Sequence, residues 1–404
     1  MSDDIKHECG LAFIRLRKPF SYYLQKYGSV TYGLNKLYLL MEKQHNRGQD
    51  GAGIAAVKLN IEAGNPYLHR MRSSAPQPIA DLFYNIGQEI QELEKHQPDI
   101  KNHPGLMKGH LPFLGELLLG HLRYGTQGKN NVEFCHPFIK RNISPGKNLA
   151  LAGNFNLVNT DDLFAQINFE PGAFQKQSDL AAMMEVVHHF LVKEDDKNPN
   201  TANIESVLKQ ATPMFDGGYT IGGLLGNGSS FIMRDAHGIR PAYYYISDDV
   251  IVAASERAAI RTTFNVGENE VQELMPGTAL LVDPNGDYRI EQILAPKERR
   301  ACSFERIYFS RGSDEKIYRE RIALGRSLSE TVLERINHDL KNTIFSYIPN
   351  TAEVAFYGLV KGMEAYLNKI KVERILSWGK DFTPEKLEEM VNRKIRQEKI
   401  AIKD

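Results

Sequence analysis

At 404 residues the chain is longer than one hydrophobic core usually fills, so two domains are expected. Basic and acidic side chains balance at 50 each, which argues against a polyanion-binding surface and leaves nucleic acid excluded as a partner. Three scattered cysteines, Cys9, Cys135 and Cys302, make neither a disulfide framework nor a zinc site and suit a reducing cytoplasm, and no apolar run is long enough to cross a bilayer.

Met1 to Glu8 is polar and lacks the apolar centre of a secretion signal; it reads as a removable pro-segment. Its removal would leave Cys9 with a thiol and an α-amine on one Cα. The amine titrates near about pH 8 and the thiol near about 8.5, so the amine can serve as base for its own side chain. The plainer alternative is a small buried residue opening the strand Gly10 to Ile14.

Leu34, Leu37, Tyr38 and Met41 recur at helical spacing, and the helix stops before Arg47-Gly48-Gln49-Asp50-Gly51-Ala52-Gly53, whose glycines are expected to permit turns. A strand, Ile54 to Leu59, follows. Residues 60–110 read as an insertion carrying a helix from about Ile79 to His96. The strands Leu117 to Thr126 and Leu149 to Leu151 run from apolar into polar tips, Gly120-His121-Leu122-Arg123-Tyr124 and Gly153-Asn154-Phe155-Asn156, which points to a site at a shared edge. Ser178 caps a nearly all-apolar helix with Asp179 in its first turn. Hairpins are expected at Tyr219 to Arg234 and Ala242 to Ala254, and a further strand at Thr278 to Val282.

A charged, proline-led stretch, Pro296 to Arg300, is expected to divide the chain into a pro-segment at 1–8 and domains at 9–296 and 297–404. Beyond it the pattern predicts a strand (Glu305 to Phe309), a helix (Glu315 to Leu340), a strand (Thr343 to Ile348) and a helix (Val354 to Lys369). The final helix has Thr383 as cap and Pro384 in its first turn. This second domain reads as α/β and unfinished.

Taken in order, Cys9-Gly10, Arg47 to Gly53, Gly120 to Tyr124, Gly153 to Asn156, Ser178-Asp179, Asp216 to Tyr219 and Arg234 to Pro241 resemble the class II glutamine amidotransferase domain. Cys302 to Arg311 resembles the opening of the phosphoribosyltransferase domain that follows it in glutamine amidophosphoribosyltransferases. The resemblance implies an α+β fold: a four-layer αββα N-terminal nucleophile hydrolase sandwich of antiparallel sheets, then an incomplete phosphoribosyltransferase-type domain. It implies a cytoplasmic enzyme that hydrolyses glutamine and passes ammonia to phosphoribosyl diphosphate in purine synthesis. It assigns Cys9 as nucleophile and base, Asn154 and Phe155 as oxyanion donors, Arg123 to the substrate α-carboxylate and Asp179 to its α-ammonium. Arg47, Gly48 and Gln49 would support them. Arg123 suits a carboxylate because its planar fork binds bidentately. Taken singly, these residues also suit blander roles: a surface ion pair for Arg123, a helix-dipole partner for Asp179, a turn for Asn154.

Two departures stand out. Phe155 occupies a position that is usually glycine in the family, and the family's acidic phosphate-binding loop does not occur in the sequence. The family also implies Mg2+ in a complete second domain, no iron–sulfur cluster given the three cysteines, and a homo-oligomer. A glutaminase feeding another acceptor, or a non-catalytic glutamine-binding homologue, is the alternative.

Overall fold

The computed structural model of the protein describes residues 9–62, 64–125, 131–166 and 178–402; the expected pro-segment and Thr126 lie outside them. The chain forms two compact units, the first ending at Glu305 and the second beginning at Arg306.

In chain order the strands of the first unit are β1 (Gly10–Leu16), β2 (Gly51–Val57), β3 (Leu68–Ser73), β4 (Leu117–Arg123), β5 (Phe138–Lys140) and β6 (Leu149–Leu157). They continue with β7 (Gly217–Leu225), β8 (Ser230–Arg234), β9 (Tyr243–Ile246), β10 (Val250–Ala254), β11 (Gln272–Glu273), β12 (Thr278–Val282) and β13 (Tyr288–Gln292). They make two antiparallel sheets, ordered β11-β9-β10-β1-β4-β2-β3 and β13-β12-β8-β7-β6-β5. Side-chain alternation sorts each strand into an inner and an outer face. Leu11 and Phe13 of β1, Leu117 and Leu119 of β4, and Ala150 and Ala152 of β6 meet in one core between the sheets. Ala12, Ile14, Leu118 and Leu122 face the other way, onto the helices Tyr32–Glu42 and Pro78–His96. Leu149, Leu151 and Leu157 pack outward against the helices Asp179–Lys197 and Ile204–Ala211. Helix, sheet, sheet and helix are thus stacked in the expected αββα order.

The stretch expected to be an insertion is part of this sandwich. It supplies edge strand β3, paired with β2, and the helix Pro78–His96, whose Ile79, Leu82 and Ile86 enter the outer core. At the hairpin between β7 and β8, Gly228 has φ +95, a conformation that favours glycine.

In the second unit the helices Glu315–Arg335 and Glu353–Ser377 cross closely. A Cβ at Gly325 would lie 1.7 Å from the Ala355 carbonyl oxygen, and one at Gly358 would lie 2.1 Å from that of Ile322, so only glycine permits the crossing. Two strand expectations fail here. Glu305–Phe309 is a wide helical turn: Glu305 and Phe309 are buried while Ile307 and Tyr308 are exposed, a four-residue repeat and not an alternation. Thr343 to Ile348 contributes only a parallel bridge from Phe345 to Gln397, because among the described residues no longer partner strand lies beside it. The last helix, Pro384–Val391, is capped as expected, with the Thr383 hydroxyl accepting from the Lys386 N–H at 3.3 Å.

Candidate active site

The inner-face alternation that fills the middle of the sandwich with leucine and alanine places Cys9, His121, Arg123 and Asn154 at one end of the same layer. Cys9 directly precedes β1, and its backbone nitrogen donates to Asn154 Oδ1 at 3.3 Å, joining the two sheets across the layer. Both residues are buried, Asn154 completely.

Gly51 and Gly53 do not make turns, as their spacing had suggested; both lie within β2, and Gly48 is extended with φ −173. They are small because neighbouring chain approaches closely. A Cβ at Gly53 would lie 2.0 Å from the His136 carbonyl oxygen, one at Gly51 2.5 Å from Cys135 Sγ, and one at Gly48 2.6 Å from the Arg123 backbone. These contacts hold segment 135–136 and the end of β4 against β2, and so set the wall of a cavity of about 360 Å³. Its lining includes Cys9, Arg123, Phe134, His136, Phe155 and Asp179.

Phe155 fits where the family usually has glycine. Its ring faces the outer core and stacks on His136, centroids 5.4 Å apart and 16° between planes. Tyr219, its partner on β7, turns its own N–H and C=O toward Asp235, which leaves the Phe155 N–H directed away from β7. Leu157, two residues on, shows the same direction, its N–H donating to Asp179 Oδ2 at 2.9 Å. Thr160 Oγ1 donates to the other Asp179 oxygen at 2.7 Å, so the carboxylate is fixed at the cavity wall. Ser178 caps the helix behind it, accepting from the Ala181 N–H.

Arg123 is buried at the tip of β4, its guanidinium 5.6 Å from the Phe134 ring centroid. Next to it on the inner face, His121 donates from Nε2 to the Gly153 carbonyl at 3.1 Å. Burial pushes its pKa down to about 3, with Arg123 adding to the shift, so the imidazole is neutral at physiological pH. Burial also raises the Cys135 thiol pKa, which leaves it protonated and poorly reactive.

The three supporting residues lie off the cavity. Arg47 is wholly buried and pairs with Glu256 (Nε to Oε1, 2.8 Å) and Glu305 (Nη1 to Oε2, 2.6 Å). Gly48 and Gln49 line a separate cavity of about 320 Å³ with Glu42, His45 and Pro76. Sequence reasoning did not find Phe134, His136, Glu256 or Glu305. Glycines inside a strand are a signal of close backbone approach, and they could have pointed to segment 135–136.

Part of the first unit is similar to a known domain. Residues 136–262 match the glutamine amidotransferase domain family. The amidophosphoribosyltransferase of Methanothermobacter thermautotrophicus is 29% identical over 297 residues, covering 72% of this chain and 53% of the relative. That of Bacillus subtilis is 29% identical over 309 residues, covering 74% and 53%. The chain therefore spans about half the length of the curated relatives it matches. The fold resembles that of glutamine phosphoribosylpyrophosphate amidotransferase from B. subtilis complexed with ADP and GMP, at a TM-score of 0.61, 22% identity, and 88% and 64% coverage of the two chains. The matched stretch lies within the first unit, whose two-sheet sandwich is similar to the fold of that amidotransferase. Over about three quarters of its length the chain is similar to amidophosphoribosyltransferases.

Proposed function

We propose that the protein hydrolyses glutamine through Cys9 as an N-terminal nucleophile and delivers the ammonia to phosphoribosyl diphosphate, forming phosphoribosylamine. The observation that carries this reading is the Cys9 nitrogen, 3.3 Å from Asn154 Oδ1, beside a cavity whose lining includes Cys9, Arg123 and Asp179.

Once the pro-segment is cut, the Cys9 α-amine takes the thiol proton and Sγ attacks the glutamine side-chain carbonyl carbon. The resulting oxyanion accepts from Asn154 Nδ2 and the Phe155 N–H. The C–N bond then breaks, the amine returns its proton to the departing nitrogen, and ammonia leaves. Water attacks the thioester and releases glutamate with a free Cys9 thiol. Arg123 holds the α-carboxylate and Asp179 the α-ammonium, which together reject a glutamine side chain presented within a peptide. Arg47 supports this end of the layer from beneath through its pairs with Glu256 and Glu305.

The acceptor half of the reaction, with phosphoribosyl diphosphate as substrate, is supported by the similarity to amidophosphoribosyltransferases; Mg2+ and self-association are proposed with it on the family resemblance alone. No group of three His, Cys, Asp or Glu side chains suited to a metal occurs among the described residues, so no step is routed through one. Among those residues no helix is long and apolar enough to cross a membrane.

The test is intact-mass analysis of the active preparation, paired with glutamate release and phosphoribosylamine formation in wild type and Cys9→Ala. The expected mature chain begins at Cys9. Full glutaminase activity in a chain retaining Met1 to Glu8, or in Cys9→Ala, overturns the assignment. Glutamate release without phosphoribosylamine formation overturns only the acceptor.

A further inference from the structure

Glu305 is a carboxylate with 2% of its surface exposed. A charge so buried must be matched by partners of opposite sign and by hydrogen bonds. Arg47 Nη1 lies 2.6 Å from Oε2, and Arg240 Nη1 lies 3.6 Å from Oε1. With Glu256, which pairs with Arg47 Nε and accepts from Asn46 Nδ2 at 2.9 Å, the cluster holds two guanidinium and two carboxylate groups. Its charges cancel.

A further bond links the cluster to Asn154. Asn154 Nδ2 donates to Glu305 Oε1 at 2.8 Å, while Asn154 Oδ1 accepts from the Cys9 nitrogen. A carboxylate only accepts, so it draws the nitrogen end of the amide toward itself and repels the oxygen end. With the amide reversed, oxygen would face Glu305 and NH2 would face the Cys9 nitrogen, two like contacts in a buried place. The observed orientation leaves the second Nδ2 hydrogen for the oxyanion formed above Cys9.

We propose, resting on the glutaminase reading above, that Glu305 is a positioning residue for glutamine hydrolysis, fixing the end of the Asn154 amide that faces the reacting carbonyl. Its negative charge does not oppose the oxyanion, because Arg47 and Arg240 neutralise it.

The experiment compares wild type, Glu305→Gln, Asn154→Ala and the double variant in the full processed chain. Glu305→Gln keeps the shape, but its single carbonyl oxygen is drawn to Arg47, which turns its NH2 toward the Asn154 NH2. The expected result is a fall in glutaminase kcat of roughly ten- to hundredfold, below the ~10²–10³ typical of removing a donor outright, with KM within about threefold. Iodoacetamide alkylation at Cys9, read by peptide mass, passes through no oxyanion and is expected to keep the wild-type rate. Adding Glu305→Gln to Asn154→Ala is expected to lower kcat by no more than about twofold, because the group being positioned is already gone. Unchanged kcat in Glu305→Gln, equal losses in both backgrounds, or slowed alkylation overturns the positioning role and leaves the glutaminase reading standing. A processed wild type that releases no glutamate overturns both.

Discussion

The layer between the sheets has an apolar middle and a polar end, built from the same strands by the same alternation. In its middle, Leu11, Leu117, Leu119, Ala150 and Ala152 are buried and apolar. A few residues along those strands, the inward positions become Cys9, His121, Arg123 and Asn154, also buried. Burial therefore does not separate packing from chemistry in this fold; what separates them is the presence of polar groups that need partners. Asn154 has Cys9 and Glu305, and His121 has the Gly153 carbonyl. A polar end of this kind is a costly arrangement unless it is almost fully satisfied.

Substitutions in the two regions should fail in opposite ways. Cys9→Ala is expected to abolish glutamate release with the thermal midpoint within a few degrees of wild type, since a small side chain replaces another; measurable turnover would break the contrast. Asn154→Ala should lower kcat by about 10²–10³, the usual loss for one oxyanion donor, with glutamine KM little changed. Leu119→Ala, in the apolar middle, should instead cost about 2–5 kcal/mol in urea unfolding while activity per folded molecule persists. Arg123→Lys sharpens the comparison further: a point charge replaces a bidentate fork, so KM should rise about tenfold and kcat should hold. If kcat falls and KM holds, Arg123 is not gripping the carboxylate.

Individual strands and helices were legible in the sequence as short apolar runs and helical spacing, whereas their stacking into a four-layer sandwich was implied by the resemblance to the amidotransferase domain. The polar tips Gly120 to Tyr124 and Gly153 to Asn156 marked the site because polar residues closing an apolar strand have few purposes in a core. Three features were not legible. The glycines of Arg47 to Gly53 suggested turns, but Gly48 accommodates the Arg123 backbone and Gly51 and Gly53 accommodate segment 135–136, all far away in sequence, and local pattern carries no such information. Glu305 sits in a stretch with strand-like composition, and its burial depends on Arg47 and Arg240, which lie far along the chain. The strand expected at Thr343 to Ile348 failed for the same reason, since a strand is defined by a neighbour that a single segment does not specify.

His121 tests the contrast at its boundary, because it belongs to the polar end by position yet should act on stability. Burial holds its pKa down to about 3, and that of His188, in the outer helix, down to about 4. His69 and His189 are lowered in the same direction by the same cause. In the unfolded chain these imidazoles take up protons as pH falls through about 6.5, whereas in the folded chain His121 and His188 stay neutral until far lower, and His69 and His189 are shifted in the same direction. The unfolded state then binds more protons, so stability falls as pH drops from about 6.5 toward 4, by at most about 1.4 kcal/mol per pH unit for each histidine. Above about 6.5 both states are neutral and the dependence vanishes. Urea unfolding across this range should show that slope. His188→Gln, which retains a donor for the Lys147 carbonyl that His188 now bonds at 3.1 Å, should reduce it by the share of one proton. A slope unchanged in His188→Gln would mean that His188 is protonated in the folded chain, and its place against the Lys147 carbonyl would then need another explanation.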